Sequence, residues 1–208
     1  MASLLLVCTI SLTAFRFLPP PVTAVQVQRR IEALVSWTSY EKRYVFVPME
    51  RISPHLRHAV VAAEDEGFYE HRGVDWQALD KAVRDNWRRG RLWRAGSTIT
   101  QQLVKNLFFT TYFGVARKLL EIPAAFLAEV VLDKQRILEL YLNVVEWGPG
   151  VYGAEAGAQF HYGVAAATLT RDQAARLAAC LPSPRKRHPQ TMHRLGAVIA
   201  RRMAARGW

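Results

Sequence analysis

Apolar residues recur along this chain at helical spacing, in blocks separated by turn residues. Leu56, Ala59, Val60 and Ala63 fall at i, i+3, i+4 and i+7 and line one face of a helix that Ser53 and Pro54 open. Glu64 continues that stripe, four residues after Val60, so the helix ends with a carboxylate on its apolar side. Gly67 and Gly73 then release a turn carrying Phe68, Tyr69 and His71, and Asp75 caps a helix with Trp76, Leu79 and Val83 on one face and Gly90 as its stop. Thr98 and Gln101 have capping-box spacing and begin a helix on which Gln102 and Lys105 project near one another. The run from Val115 to Leu132 is helical and apolar, with Arg117, Lys118 and Glu121 near its start and a break or kink expected at Pro123. Asp133 caps a helix with Ile137, Leu138, Tyr141 and Leu142 inward, and Gly148-Pro-Gly150 is a turn. An Ala/Gly-rich helix fills 153–162 and stops at Gly163, and a second capping box, Thr170 with Gln173, precedes the stripe Ala174, Leu177, Ala178 and Leu181. One short strand is expected over Tyr44–Val47, closed by Pro48. The pattern predicts a mainly α chain.

The first 18 residues change the picture. Ala2–Phe15 is uncharged, Arg16 can snorkel, and Pro19, Pro20 and Pro21 stop any helix. This predicts an N-terminal membrane anchor over 1–18, a connector over 19–47, a catalytic domain over 48–184 and a basic C-terminal helix over 185–208. A signal peptide fits less well, because no charged region precedes the apolar run and no A-x-A site follows it. The flanking arginines all follow the segment and leave its orientation open.

Charge narrows the partner. Lys and Arg number 28 against 17 Asp and Glu, a net +11, which favours an anionic lipid surface, a phosphorylated substrate or nucleic acid. The segment 87–94, WRRGRLWR, suits a nucleic-acid patch, a membrane-surface patch or, more often for such a run, plain solvation. Cys8 and Cys180 show no metal or disulfide spacing, and Cys180 is expected as a small buried hydrophobe. His55 and His58, one turn apart, lack any further ligand motif. Two features carry chemistry. Partial burial of Glu64 disfavours its charged form and raises its pKa toward the range of a general base. The polar helix start at 98–102 beside Lys105 is a plausible anion site, with an ordinary capped helix as the plain alternative. Arg117 and Glu121, at i and i+4, equally suit a simple helix ion pair.

Taken in order, these pieces form a set: E-D-x-x-F-x-x-H-x-G-x-D over 64–75, G-S-T-I-T-Q-Q-L-x-K-N over 96–106, R-K-x-x-E over 117–121, K-x-x-I-L-E-x-Y-L-N over 134–143 and G-x-G-x-Y-G over 148–153. The set resembles the peptidoglycan glycosyltransferases of glycosyltransferase family 51, over roughly Pro48 to Pro184, and its specificity lies in five motifs occurring together. The resemblance implies a mainly α, lysozyme-like fold with head and jaw lobes. It implies a monofunctional, single-pass inner-membrane enzyme facing the periplasm, which polymerises lipid II into glycan strands and releases undecaprenyl diphosphate. Its catalytic residues would be Glu64 and Glu121. Its substrate-binding residues would be Asp65, Phe68, His71, Ser97, Thr98, Gln101, Gln102, Lys105, Asn106, Arg117 and Lys118. No covalently bound cofactor is implied; a Mg2+ or Mn2+ ion at the diphosphate is allowed, with no certain protein ligands. The implied partners are lipid II, the growing lipid-linked strand, the membrane and cell-wall synthesis or division proteins, and no nucleic acid. Glu66, Gly157, His161 and Ala95 depart from the family's usual residues. The S-x-x-K at 183–186 lacks the companion motifs of a transpeptidase. The rivals are a peptidoglycan-cleaving lysozyme-like enzyme and a non-catalytic basic protein of the membrane surface.

Overall fold

The computed structural model describes residues 2–80, 84, 96–112 and 114–208. The expected elements at Val83, Gly90, the basic stretch 87–94 and Ala95 lie outside the described residues. The described elements are mainly α. In chain order they are α1 (Ala2–Phe15), α2 (Ala24–Val35), β1 (Arg43–Tyr44), α3 (Pro54–Glu64), α4 (Ile99–Phe108), α5 (Gly114–Val131), α6 (Lys134–Val144), β2 (Glu146–Gly148), β3 (Val151–Tyr152), α7 (Ala154–Tyr162), α8 (Arg171–Ala178) and α9 (His193–Ala205). The strand expected over Tyr44–Val47 is shorter and earlier, and pairs parallel with β3, which pairs antiparallel with β2.

The helix ends follow local chemistry. Ser53 accepts from the His55 N–H to start α3, and the Thr98–Gln101 and Thr170–Gln173 boxes close reciprocally around α4 and α8. Asp133 accepts from Arg136 N at 2.7 Å to cap α6. A third box lies in the segment expected as a connector: Thr23 and Gln26 cap α2, a full helix. Its T-x-x-Q signal is as plain as the other two. Helix α5 does not break at Pro123 but runs through it. The carbonyl that proline frees belongs to Leu119, which is 67% exposed, so water can take the lost hydrogen bond.

Helix α1 has 14 residues, about 21 Å at 1.5 Å per residue, against a hydrocarbon core of about 30 Å. Among the described residues no helix is long and apolar enough to cross a membrane. The anchor expected over 1–18 is therefore a short helix that packs on α5, with Cys8 and Leu12 fully buried. Arg136 fixes its exit by donating to the carbonyls of Phe15 and Leu18 at 2.8 and 2.9 Å.

The core is one cluster. Leu56, Val60 and Ala59 of α3, Leu103 and Val104 of α4, Ala125 and Ala128 of α5, and Ile137, Leu138 and Tyr141 of α6 are buried together. Asn143 is fully buried and replaces strand pairing for the segment after β1: it accepts from Val47 N and donates to Val47 O, each at 2.9 Å. Gly153 follows with φ +88, where a Cβ would stand 2.7 Å from the Asn143 carbonyl oxygen. Helix α9 lies on α3 and α8, while the basic residues 185–187 sit in the turn before it.

Helix α2 is tied down by charge. Glu32 takes hydrogen bonds from Arg29, Gln28 and Tyr112, and Arg29 reaches on to Glu146 at 3.3 Å. Although burial opposes it, these partners hold the Glu32 carboxyl down at about 2. A depressed folded pKa gives stability that is present above the ordinary value of 4.5 and is lost as pH falls toward 2. Glu32→Gln is therefore expected to lower the denaturant midpoint at pH 7 and to flatten its fall between pH 4.5 and 2. Parallel pH profiles of the two proteins would contradict this.

Candidate active site

Glu64 ends α3 and lines a cavity of about 710 Å3, together with Asp65, Glu66, Ser97, Thr98, Gln101, Arg117, Lys118 and Arg202. Gln102 Nε2 donates to Glu64 Oε2 at 2.7 Å. The other end of that amide accepts from the Tyr141 hydroxyl at 2.9 Å, which fixes its orientation with nitrogen toward the carboxylate. Burial pushes the Glu64 carboxyl above its ordinary value, while the Gln102 hydrogen bond and the Lys105 charge pull it partly back. Tyr141 is fully buried, and its own pKa is pushed well above the ordinary 10.0 by that burial, so it stays a donor. Sequence reasoning placed Tyr141 on the core face and missed this role; a hydroxyl on an otherwise apolar stripe was the available signal.

The cations gather around Glu121, which is 1% exposed. Arg117 Nε lies 2.9 Å from one of its oxygens, a charge contact without hydrogen-bond alignment, and Lys118 Nζ lies 3.6 Å from the other. Lys118 also donates to Ser97 Oγ at 2.5 Å and Gln101 Oε1 at 3.3 Å, and Arg117 Nη1 donates to Thr110 O at 3.0 Å. Both side chains line the cavity while Glu121 does not, so the carboxylate aims the cations from behind. Burial lowers the pKa of Lys118, offset in part by Glu121. Burial also lowers that of Lys105, which feels Glu121, Arg117 and Glu64 in turn and thus lies in the field of both carboxylates.

The remaining expected residues hold the frame. Asp65 Oδ1 meets His71 Nε2 at 2.9 Å, and Oδ2 accepts from Ile99 N at 2.9 Å, tying the end of α3 to the start of α4. Phe68 is fully buried with Lys134 Nζ 4.6 Å over its ring. Thr98 donates to Gly73 O at 2.6 Å, and buried Asn106 donates to Gln102 O at 2.7 Å. Gly73 has φ +78, and a Cβ there would stand 3.2 Å from the Ala125 backbone. Glu129, which sequence reasoning did not single out, gathers Gly73 N at 3.0 Å, Thr100 Oγ1 at 2.6 Å and Lys134 Nζ at 2.7 Å. Phe68, His71, Asn106 and Glu121 are thus within the frame and not on the cavity wall.

Asp65, His71 and Asp75 place one ligand atom each within 4.8 Å. Both Asp65 oxygens are already committed, and one Asp75 oxygen accepts from Ala78 N at 2.8 Å. These bonds tie the set into the frame, and one imidazole with two carboxylates offers fewer oxygens than the six or more that a calcium or magnesium ion takes.

The family model described as Transglycosylase matches residues 30–205. A relative from Nitrosospira multiformis, named a biosynthetic peptidoglycan transglycosylase, is 49% identical over 166 residues, covering 79% of this chain and 72% of its own. Relatives of the same name from Janthinobacterium sp. and Bordetella pertussis are 50% and 52% identical over 160 and 171 residues, covering 77% and 78% of this chain and 68% and 71% of their own. With most of its length matched in this way, the chain belongs to the transglycosylase family.

Proposed function

We propose that this chain is a peptidoglycan glycosyltransferase that polymerises lipid II, a lipid-linked disaccharide diphosphate, into glycan strands for cell-wall biosynthesis. The observation that carries the reading is one cavity holding a desolvated, amide-oriented carboxylate, Glu64, and two cations, Arg117 and Lys118. The acceptor's 4-hydroxyl attacks the anomeric carbon of the donor, and its proton passes to Glu64. The bond from that carbon to the diphosphate oxygen breaks, and undecaprenyl diphosphate leaves with the electron pair. Arg117 and Lys118 stabilise the charge that develops there, and Lys105 adds to the field. Inversion at the anomeric carbon follows from attack opposite the leaving group. A Mg2+ or Mn2+ ion would enter as a counter-ion of the diphosphate.

A wall-cleaving enzyme has no diphosphate to discharge, so the Arg117–Lys118–Glu121 set favours transfer over cleavage. The short apolar α1 and the +11 charge support a place at an anionic membrane surface; the extracytoplasmic face of the inner membrane, where the precursor is displayed, is what the family resemblance implies. Incubation with purified lipid-linked precursor in detergent tests the function: polymer is expected, and degradation of finished wall without polymer would favour the cleaving reading.

The Tyr141–Gln102–Glu64 chain has its own test. The Gln102 hydrogen bond lowers the Glu64 pKa, so disorienting that amide by Tyr141→Phe is expected to move the acid limb of the rate profile to higher pH. The polymerisation rate should fall several-fold at the pH of the original limb and recover above it. A uniform loss at every pH would assign Tyr141 to packing alone.

A further inference from the structure

The outer face of α2 takes no part in the site above. Val27, Ile31, Leu34 and Val35 recur on it at helical spacing and are between 46% and 73% exposed. Just past its end, Trp37 is 95% exposed with φ +52, a conformation bulky side chains rarely hold. Beside this face runs a groove of about 630 Å3 whose lining includes Val22, Val27, Ile31 and Leu34, with Arg30 and Lys42 at the same groove. Arg30, Lys42 and the preceding Arg16 are exposed, and none has an ion-pair partner among the described residues. The nearby acids are spent: Glu41 pairs with Arg43 and Glu32 with Arg29. Gln26 lines the groove as well, and its Nε2 donor has no partner among the described residues. Phe17 and Leu18, which precede α2 in the chain, and Leu6, Val7 and Ile10 of α1 are exposed apolar residues as well.

We propose that this groove binds an anionic phospholipid, with an acyl chain along Val27, Ile31 and Leu34 and the headgroup phosphate toward Arg30 and Lys42. Trp37 would sit at the headgroup level, where an amphipathic ring is favoured. The charge argues for this occupant. A second copy of a +11 chain would bring like charges together on this face, whereas an anionic headgroup complements them. The site is separate from the cavity at Glu64, and its test needs no sugar substrate, so it stands or falls apart from the proposed reaction.

The full chain in zwitterionic micelles, doped with phosphatidylglycerol brominated on its acyl chains, tests the proposal. Emission from Trp37 is read as the difference between the native protein and Trp37→Phe. Quenching is expected at a lower lipid fraction than with brominated phosphatidylcholine. Arg30→Glu with Lys42→Glu should raise the half-quenching fraction at least tenfold, and Ile31→Ser with Leu34→Ser should also raise it. The equal charge change Arg194→Glu with Arg201→Glu, on exposed positions of α9, should leave it unchanged. Four results would overturn the proposal. They are equal quenching by both lipids, an equal shift in the α9 control, displacement by a lipid diphosphate at stoichiometric concentration, and a dimer in sedimentation that shields Trp37 from lipid.

Discussion

Glu64→Gln is expected to lower the polymerisation rate by roughly a hundredfold to ten-thousandfold, the usual worth of a positioned general base. The fold should not suffer. The new side chain has the same shape, and its amide oxygen can still accept from Gln102 Nε2, which now lies 2.7 Å from the carboxylate. The native carboxyl is desolvated and pushed above its ordinary pKa, so losing its charge removes a penalty and no buried ion pair. The thermal midpoint should therefore stay or rise while activity falls. The pH profile adds a second reading. The native rate should climb with pH as Glu64 deprotonates, with its limb above the ordinary 4.5, and the variant's residual rate should lack that limb. Near-native turnover in the variant, or an intact acid limb, would remove Glu64 from the role of base.

The second large effect is expected at Lys118. Lys118→Ala removes a cavity-lining cation that Ser97, Gln101 and Glu121 together aim. Losing one preorganised donor at a site of developing charge costs about a hundredfold to a thousandfold in kcat. Glu121 would keep Arg117 at 2.9 Å, so the buried carboxylate is not left without a counter-charge and the fold should survive. Unlike the Glu64 variant, this one should retain the acid limb, because the base is untouched. Added magnesium should restore part of the rate by neutralising the diphosphate from solution. Unchanged kinetics at low and high magnesium would separate Lys118 from the leaving group.

Most of the helical frame was legible because its signals are local. Ser53, Thr98, Asp133 and Thr170 each cap the helix their spacing predicts. Glu64 was legible because a carboxylate that continues an apolar stripe must be partly desolvated. What could not be seen depends on contacts between distant segments. Tyr141 stands 39 residues from the Gln102 it orients, and Glu129 gathers groups from three segments. The departures Gly157 and His161 look unrelated in the sequence but converge on Trp147. A Cβ at Gly157 would stand 2.8 Å from the indole, and His161 Nε2 lies 2.8 Å from the Trp147 carbonyl. Glu66, a third acid beside Glu64 and Asp65, finds Arg202 of α9 at 3.0 Å, so it is neutralised at the cavity edge. The α2 helix was missed although Val27, Ile31 and Leu34 recur at helical spacing and Thr23 with Gln26 forms a capping box; that stripe faces outward, and only Val25 and Ala33 carry apolar side chains into the buried side. At Pro123, the rule that proline breaks a helix gave way where the residue whose carbonyl loses its bond, Leu119, lies on the exposed side.

The central claim is glycosyl transfer from a lipid diphosphate with Glu64 as base, and one measurement meets it most directly. Purified lipid-linked disaccharide diphosphate is given to the full chain, and the released carrier diphosphate and the newly formed glycosidic linkages are counted together by NMR. The account predicts one carrier diphosphate released per new linkage, each linkage in the β configuration from an α donor, with both products falling together by about a hundredfold or more in Glu64→Gln. Release of carrier alongside free reducing sugar, or linkages that retain the donor's configuration, would contradict it.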